Sequence, residues 1–379
     1  MKNIKPEHLK DLFVHDVPLM DVRAPVEFVQ GSLPGSVNLP ILNDIERARI
    51  GTTYKEQGQE AAVKLGYELI SGLVKEERLE KWKSFIAQNP NAVIYCFRGG
   101  KRSQITQQWL KDAGVERPLI VGGYKASRQF LMDTIERFSK NQELLALCGP
   151  TGSGKTEFLT KADAFYPTID LEFFAQHRGS AFGALDGAQP TQINFENLLA
   201  VRFLKLEDKG LGNLRPIVED ESRLIGKVYQ PTSFFDRLRA SQVIWLDEPF
   251  ETRLENIYKD YVLKTAIGQH IGQAPRCLEE QQILTSQALK VFEKYKISLH
   301  AISKKLGGLR TQEVLADLEN AEQDYLNKNE VESNKIWIEK LLKYYYDPLY
   351  LSSLERRQVR PIFKGSAEEA LQFLKNLKP

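Results

Sequence analysis

The sequence predicts an α/β protein made of two parallel-sheet units, followed by a helical, basic C-terminal part. Three observations carry this reading. Short apolar runs alternate with stretches of helical spacing along most of the chain. Twice an apolar run passes through a glycine-rich loop straight into a helix, at "AVIYCFRGGKRSQ" and at "LLALCGPTGSGKTEFL". The 379 residues also exceed one ordinary core, at roughly 100–200 residues per domain.

In order, "PLMDVR" reads as a strand, "PVEFVQG" as a helix and "LPGSVNLP" as a turn with an extended segment. "AVIYC" is an apolar strand, and "SQITQQWLKDAG" is a helix starting near Ser103 with a glycine stop. "PLIVGG" is the next strand. In parallel sheets reactive groups gather where strands end and helices begin, which is where Cys96 lies. A polar helix, "KASRQFLMDTIERFSKNQ", leads to the second unit, whose further strands are "PTIDLE", "PIVEDES" and "QVIWLDEP". The expected domains are 1–128, a helical linker 129–143, a second domain 144–328 and a basic helical segment 329–379. There is no internal repeat and no low-complexity segment.

Composition excludes little beyond membrane spans and disulfide scaffolds. A 42% hydrophobic and 27% charged chain is ordinary for soluble proteins, and no run approaches the ~18 apolar residues of a membrane span. The N-terminus lacks the apolar core and small-residue cleavage site of a signal peptide, so a cytoplasmic location without membrane contact is expected. Cys96, Cys148 and Cys277 are far apart and lack CxxC spacing, against a disulfide framework or a zinc site. A net charge of +2 does not decide on nucleic acid, because binding depends on where charge lies.

"GPTGSGKT" fits G-x-x-x-x-G-K-[ST] between an apolar strand and a helix. Gly149, Gly152, Ser153 and Gly154 let backbone N–H groups curl toward a phosphate, Lys155 adds a full charge, and Thr156 is placed to hold Mg²⁺. The strand "VIWLDEP" with its following helix resembles small P-loop kinases. In that setting Asp170, Glu172, Asp220, Glu221 and Asp247 compete for a metal or acid–base role, with solvated strand ends as the plain alternative. Cys148 reads as a buried strand residue.

At the other loop, a cysteine at a helix N-terminus beside Arg98, Lys101 and Arg102 sits where the thiolate is favoured, so Cys96 reads as reactive. "DVRAPVEFVQGSLPGSVNLP" resembles the rhodanese homology region through Asp21, Arg23, Glu27, Gly31, Pro34, Gly35, Asn38 and Pro40. That resemblance makes the first unit a rhodanese-like parallel-sheet domain, and the "GPTGSGKT" motif makes the second a P-loop NTPase-like α/β domain with a helical C-terminal extension. Sulfurtransferases of the rhodanese family usually carry Arg five positions after Cys. Here Arg102 follows at six, the Cys-x5-Arg spacing of phosphatases, with room for a tetrahedral anion among Arg98, Gly99, Gly100 and Arg102. Tyr95 stands where phosphatases place histidine.

The combination of "YCFRGGKRS", "GPTGSGKT", "HRGSAFG", "QPTQINFEN", "VEDESRLIG" and "YKDYV" resembles the tRNA 2-selenouridine synthase family across nearly the whole chain. The resemblance implies a tRNA substrate with wobble 2-thiouridine, and geranyl diphosphate and selenophosphate as cosubstrates. It also implies no tightly bound cofactor, with Mg²⁺ as a candidate ion. The P-loop then holds a diphosphate leaving group, and Cys96 handles selenium or organises selenophosphate. His177 is a candidate acid–base group or a loop-ordering residue, and Arg178, Asp220 and Glu221 lie in similar family segments. Arg310, Arg356, Arg357 and Arg360, with Lys304, Lys305 and Lys364, are candidates for tRNA phosphates, and Tyr344 to Tyr346 for base stacking. A selenophosphate-supplying enzyme is a candidate partner. The competing enzyme class is a two-domain ATP-dependent kinase with a rhodanese-fold phosphatase.

Overall fold

The computed structural model describes the chain apart from residues 1, 186, 211–213, 270, 272–276, 358–360 and 378–379, and apart from the side chains of 353–357. Two compact units form. The first comprises Met1–Asn141, Pro190–Leu211 and Val228–Phe234; the second comprises Gln142–Gln189, Gly212–Lys227 and Phe235–Pro379.

In the first unit, apolar Leu19–Asp21 is the central strand of a parallel sheet, flanked by Ser36–Asn38 and Val93–Tyr95. The strand expected at "PLIVGG" shrinks to single bridges, Leu119 to Ile94 and Ile120 to Ile4. The reason is local: Gly122 and Gly123 take φ of 79° and 57°, which glycine reaches without strain, and turn the chain into helix Gly123–Asn141. Residues 44–88, which the strand–helix alternation leaves unread, form helices Asp44–Leu69 and Gly72–Gln88. Asn43 and Glu46 close a reciprocal cap on the first of these, each side chain taking the other's backbone N–H at 2.9 and 2.8 Å. Trp82 and Ile86 enter a core with Met20, Ile94, Trp109 and Leu110. Helix Gln192–Asp208 also belongs to this unit, stacking Phe203 on Phe138 with ring centres 4.0 Å apart.

The second unit is built on five parallel strands in the order Pro361–Gly365, Gln242–Leu246, Leu145–Cys148, Ile217–Glu219, Thr168–Ile169. The tail is mostly helical, as expected, yet it returns the edge strand Pro361–Gly365 to the sheet. Helix Ala367–Asn376, capped by Ser366, then buries Ala370 and Leu374 against Leu145 and Phe158. A second core joins Phe292, Tyr295 and Leu299 of helix Leu278–Leu306 to Leu318 of helix Gly308–Lys328 and Trp337 of helix Asn334–Leu341. No helix among the described residues is long and apolar enough to cross a membrane.

Candidate functional site

The phosphate loop leaves the sheet at Cys148 and enters helix Lys155–Ala162. Gly152 and Gly154 hold φ of 85° and 75°, and a Cβ on Gly152 would come within 2.5 Å of the Arg253 carbonyl, so this position is glycine on two counts. Helix Phe250–Tyr258 braces the loop from below. Asn256 donates to the Gly152 carbonyl at 2.8 Å, and Arg253 donates to the Thr151 carbonyl while gripping Asp347 at 2.7 and 2.8 Å. The Gly149 N–H donates to the Tyr350 hydroxyl at 2.6 Å. Lys155 donates to the Gly149 carbonyl at 3.2 Å, and Thr156 donates to Glu172 Oε2 at 3.1 Å.

A cleft of about 620 Å³ opens over the loop. Its far wall comes from "HRGSAFG" and from π-helical turns at Lys259–Leu263 and Leu342–Tyr346, the irregular helical geometry often met at functional sites. Arg178 lies in this wall, donating to the Asp260 carbonyl at 2.9 Å over the Tyr261 ring, and Ser180 pairs with the Tyr261 hydroxyl at 2.7 Å. Gly179 brings two carboxylates together: a Cβ there would stand 2.3 Å from a Glu221 oxygen and 3.0 Å from a Glu172 oxygen.

Of the five candidate carboxylates, Glu172, Asp220 and Glu221 line the cleft and Asp170 and Asp247 do not. Asp170 caps helix Leu171–Ala175, accepting the Phe173 N–H at 2.7 Å, and does not line the cleft. Asp220 lines it but is ion-paired with Arg239 at 3.0 Å and accepts from the Cys148 thiol at 3.1 Å. Asp247 stands outside, paired with Lys364 at 3.2 Å. The carboxyl that accepts from Thr156 is Glu172, backed by fully buried Glu219, whose Oε2 accepts the Glu172 N–H at 3.2 Å while Oε1 has no partner. Burial, and then the neighbouring Glu221, push Glu172 up to about 8 against the pull of Lys155. Burial and Glu172 push Glu219 well up, and burial raises Glu221 too. His177 is buried and bridged to Ala184 rather than facing the cleft; its Nδ1 has no partner, and burial followed by Lys294 lowers its pKa.

Thr156 and Glu172 are hard oxygen donors of the kind that hold Mg²⁺ beside a bound phosphate chain. Among the described residues no group of three or more His, Cys, Asp or Glu side chains is arranged to hold a metal unaided.

In the first unit, Cys96 directly follows strand Val93–Tyr95, and the helix begins at Lys101, two residues before the sequence expectation, with Gly100 as its extended cap. The sulfur is covered. Cys96 is 3% exposed, with Sγ 3.1 Å from Ser103 Oγ, so the thiol lies under the loop rather than at its mouth. Gly99 holds φ of 65°, and a Cβ on Gly123 would meet the Cys96 carbonyl at 2.2 Å. Tyr124 and Lys125 N–H groups donate to the Cys96 and Phe97 carbonyls at 2.8 and 2.9 Å, so the "VGGYK" turn fixes the loop from behind.

Arg102 is latched to Glu27 at 2.5 and 3.1 Å, and Arg47 reaches the same carboxylate at 3.0 Å. Burial pushes Glu27 up, but the Arg102 hydrogen bonds together with the charges of Arg102 and Arg47 outweigh it and hold the carboxyl below its usual range. Arg98 is exposed with its guanidinium 5.7 Å from the Phe97 ring centre. The remaining rhodanese-like residues are structural. Arg23 and Asp21 form a buried pair at 2.6 Å, Arg23 also holds the Gly31 carbonyl at 2.8 Å, and Asn38 donates to the Asp21 and Arg23 carbonyls. Buried Tyr95 donates to Ser36 Oγ at 2.9 Å, and burial raises its hydroxyl pKa.

Of the basic candidates, Arg310 is exposed, its guanidinium 4.7 Å from the Tyr344 ring centre. Tyr345 is buried and Tyr346 lies in the cleft wall, which leaves Tyr344 as the exposed ring of that run. Arg360 and the side chains of Arg356 and Arg357 lie outside the described residues.

A family model described as the tRNA 2-selenouridine synthase AAA domain matches residues 142–378, and one described as the rhodanese-like domain matches residues 5–129. The chain is similar to a Bdellovibrio bacteriovorus protein named tRNA 2-selenouridine synthase, with 61% identity covering 100% of this chain and 99% of the relative. Proteins of the same name from Nitrosomonas eutropha and Shewanella halifaxensis are 59% and 43% identical, each covering 99% of this chain and 98% and 99% of the relative.

Proposed function

This chain belongs to the tRNA 2-selenouridine synthase family, and from that premise we propose that it replaces the sulfur of wobble 2-thiouridine in tRNA by selenium in two substitutions. In the first, the uridine sulfur attacks C1 of geranyl diphosphate, the C–O bond breaks and diphosphate leaves. In the second, selenium of selenophosphate attacks C2 of the base, geranylthiolate leaves, and water cleaves the Se–P bond to release phosphate.

The observation that supports this reading best is the phosphate loop with Lys155 and Thr156 beneath a cleft large enough for more than a phosphate. The loop amides and Lys155 receive the charge that develops on the departing diphosphate, the kind of fixed electrostatic stabilisation that lowers a barrier. Mg²⁺, when bound, would add further charge neutralisation at Thr156 and Glu172. In the first unit, Cys96 with Arg98, Gly99, Gly100 and Arg102 handles selenophosphate, and Arg102 exchanges its Glu27 partner for the incoming anion. Exposed Arg310 contributes to holding tRNA phosphates.

Thiolated tRNA, geranyl diphosphate and selenophosphate are to be incubated with the protein, each omitted in turn, and the nucleosides weighed by mass spectrometry. A geranylated nucleoside without selenophosphate and a selenated one with it are expected. No mass change in any mixture removes the reading.

A further inference from the structure

Arg178, in the far wall of the cleft over the phosphate loop, has no part in either substitution above. Its surroundings are neutral. The half-buried guanidinium donates to the Asp260 carbonyl and lies 5.1 Å from the Tyr261 ring centre, and among the described residues no carboxylate pairs with it. Asp260 itself gives its carboxylate to Lys264 at 2.7 Å.

The segment that carries Arg178 is pinned at both ends. The Arg178 N–H donates to the Gly183 carbonyl at 2.9 Å, the Ser180 N–H donates to the Arg178 carbonyl at 2.6 Å, and a Cβ on Gly183 would stand 3.0 Å from Arg178 Cβ. The hydroxyl pair of Ser180 and Tyr261 ties this segment to the π-helical turn Lys259–Leu263. The next residue, Gly179, lies against Glu172 and Glu221, and Glu172 accepts from Thr156 of the phosphate loop. Arg178 and Lys155 therefore border one cleft from two sides, and Lys259 lines it from the π-helical turn.

A guanidinium held by neutral groups keeps its full charge and its remaining N–H donors for an anion, and its planar fork matches phosphate oxygens in pairs. Glu172 and Glu221 line the same cleft, so a phosphate entering it needs cations on more than one side. We propose that Arg178 is a further catalytic residue, which binds a phosphate group from the wall opposite the phosphate loop. The proposal rests on the two-substitution reading above, where phosphate has two sources, the diphosphate of the prenyl donor and the backbone of tRNA. On the diphosphate, Arg178 takes up charge on the oxygens released as the C–O bond breaks, and its effect falls on kcat. On tRNA it holds the nucleotide in place, and its effect falls on KM.

Arg178→Ala and Arg178→Lys are to be compared with the wild-type protein in two assays. Calorimetric binding of inorganic diphosphate is expected to weaken at least about tenfold in Arg178→Ala, the scale of one lost hydrogen-bonded charge. Lysine restores it only in part, and added ethylguanidinium restores it in Arg178→Ala, a recovery that a misfolded wall does not give. Steady-state geranylation assigns the source. A kcat lowered by ~100-fold with unchanged KM for tRNA identifies the diphosphate. A raised KM for tRNA, with a salt dependence shallower by about one phosphate contact and unchanged diphosphate binding, identifies the tRNA backbone. Wild-type behaviour of Arg178→Ala in both assays overturns the proposal, as does a loss that ethylguanidinium leaves unrelieved. Wild-type protein that binds diphosphate through Arg178 but transfers neither geranyl nor selenium supports the phosphate site and removes the two-substitution reading.

Discussion

Lys155 donates to a carbonyl of its own loop, a neutral partner that charge-assisted bonds to the proposed diphosphate would replace. Lys155→Ala is therefore expected to lower geranylation by ~100-fold or more, the scale set by removing one preorganised charge-stabilising donor, measured as initial rates of geranylated nucleoside. Cys96→Ser is expected to abolish selenation of pre-geranylated tRNA while leaving geranylation intact; selenation at the wild-type rate would refute the role given to this thiol. Glu172 carries a pH signature. Its folded pKa of about 8 lies above the ordinary glutamate value of 4.5, so between these values the folded protein keeps a proton that the unfolded chain has lost. Stability must fall as pH rises through that window, by at most ~1.4 kcal/mol per pH unit for one proton. Urea unfolding of Glu172→Gln across this range should show a flatter pH dependence than wild type.

At the scale of elements, each loop is shaped by a segment distant in sequence. The "VGGYK" turn touches the cysteine loop so closely that Gly123→Ala would drive a Cβ into the Cys96 carbonyl at a φ of 57°. We expect a loss of about 1–3 kcal/mol, the usual cost of a strained backbone position, read from urea unfolding, together with slower selenation and unchanged geranylation. The phosphate loop leans on Tyr350 through the Gly149 N–H. The motif "GPTGSGKT" was legible because its chemistry resides in consecutive backbone amides and one lysine. The Tyr350 and Arg253 supports were not, since strand order and helix packing alone bring them to the loop, and the same packing singles out Glu172 from the candidate carboxylates.

At the scale of the whole chain, the C-terminal part illustrates the limit of local reading. The sequence reads 329–379 as one basic helical segment, yet Pro361–Gly365 closes one edge of the five-stranded sheet and the next helix buries Leu374 at 1% exposure. Truncation after residue 357 should therefore leave the second unit without part of its core. The expected result is loss of geranylation together with a lowered unfolding midpoint by circular dichroism. The sequence by itself determined the α/β class, the two strand–loop–helix junctions, the family, and the identities of Cys96 and Lys155, because periodicity and contiguous motifs are local properties. Tertiary structure alone decided that Glu172 and Glu219, rather than Asp170, back the phosphate loop, that Glu27 latches Arg102, that Cys96 is covered, and that Arg178 stands in the cleft wall among neutral partners. These depend on which strands lie side by side and which helix faces meet, and no spacing along one chain encodes that directly.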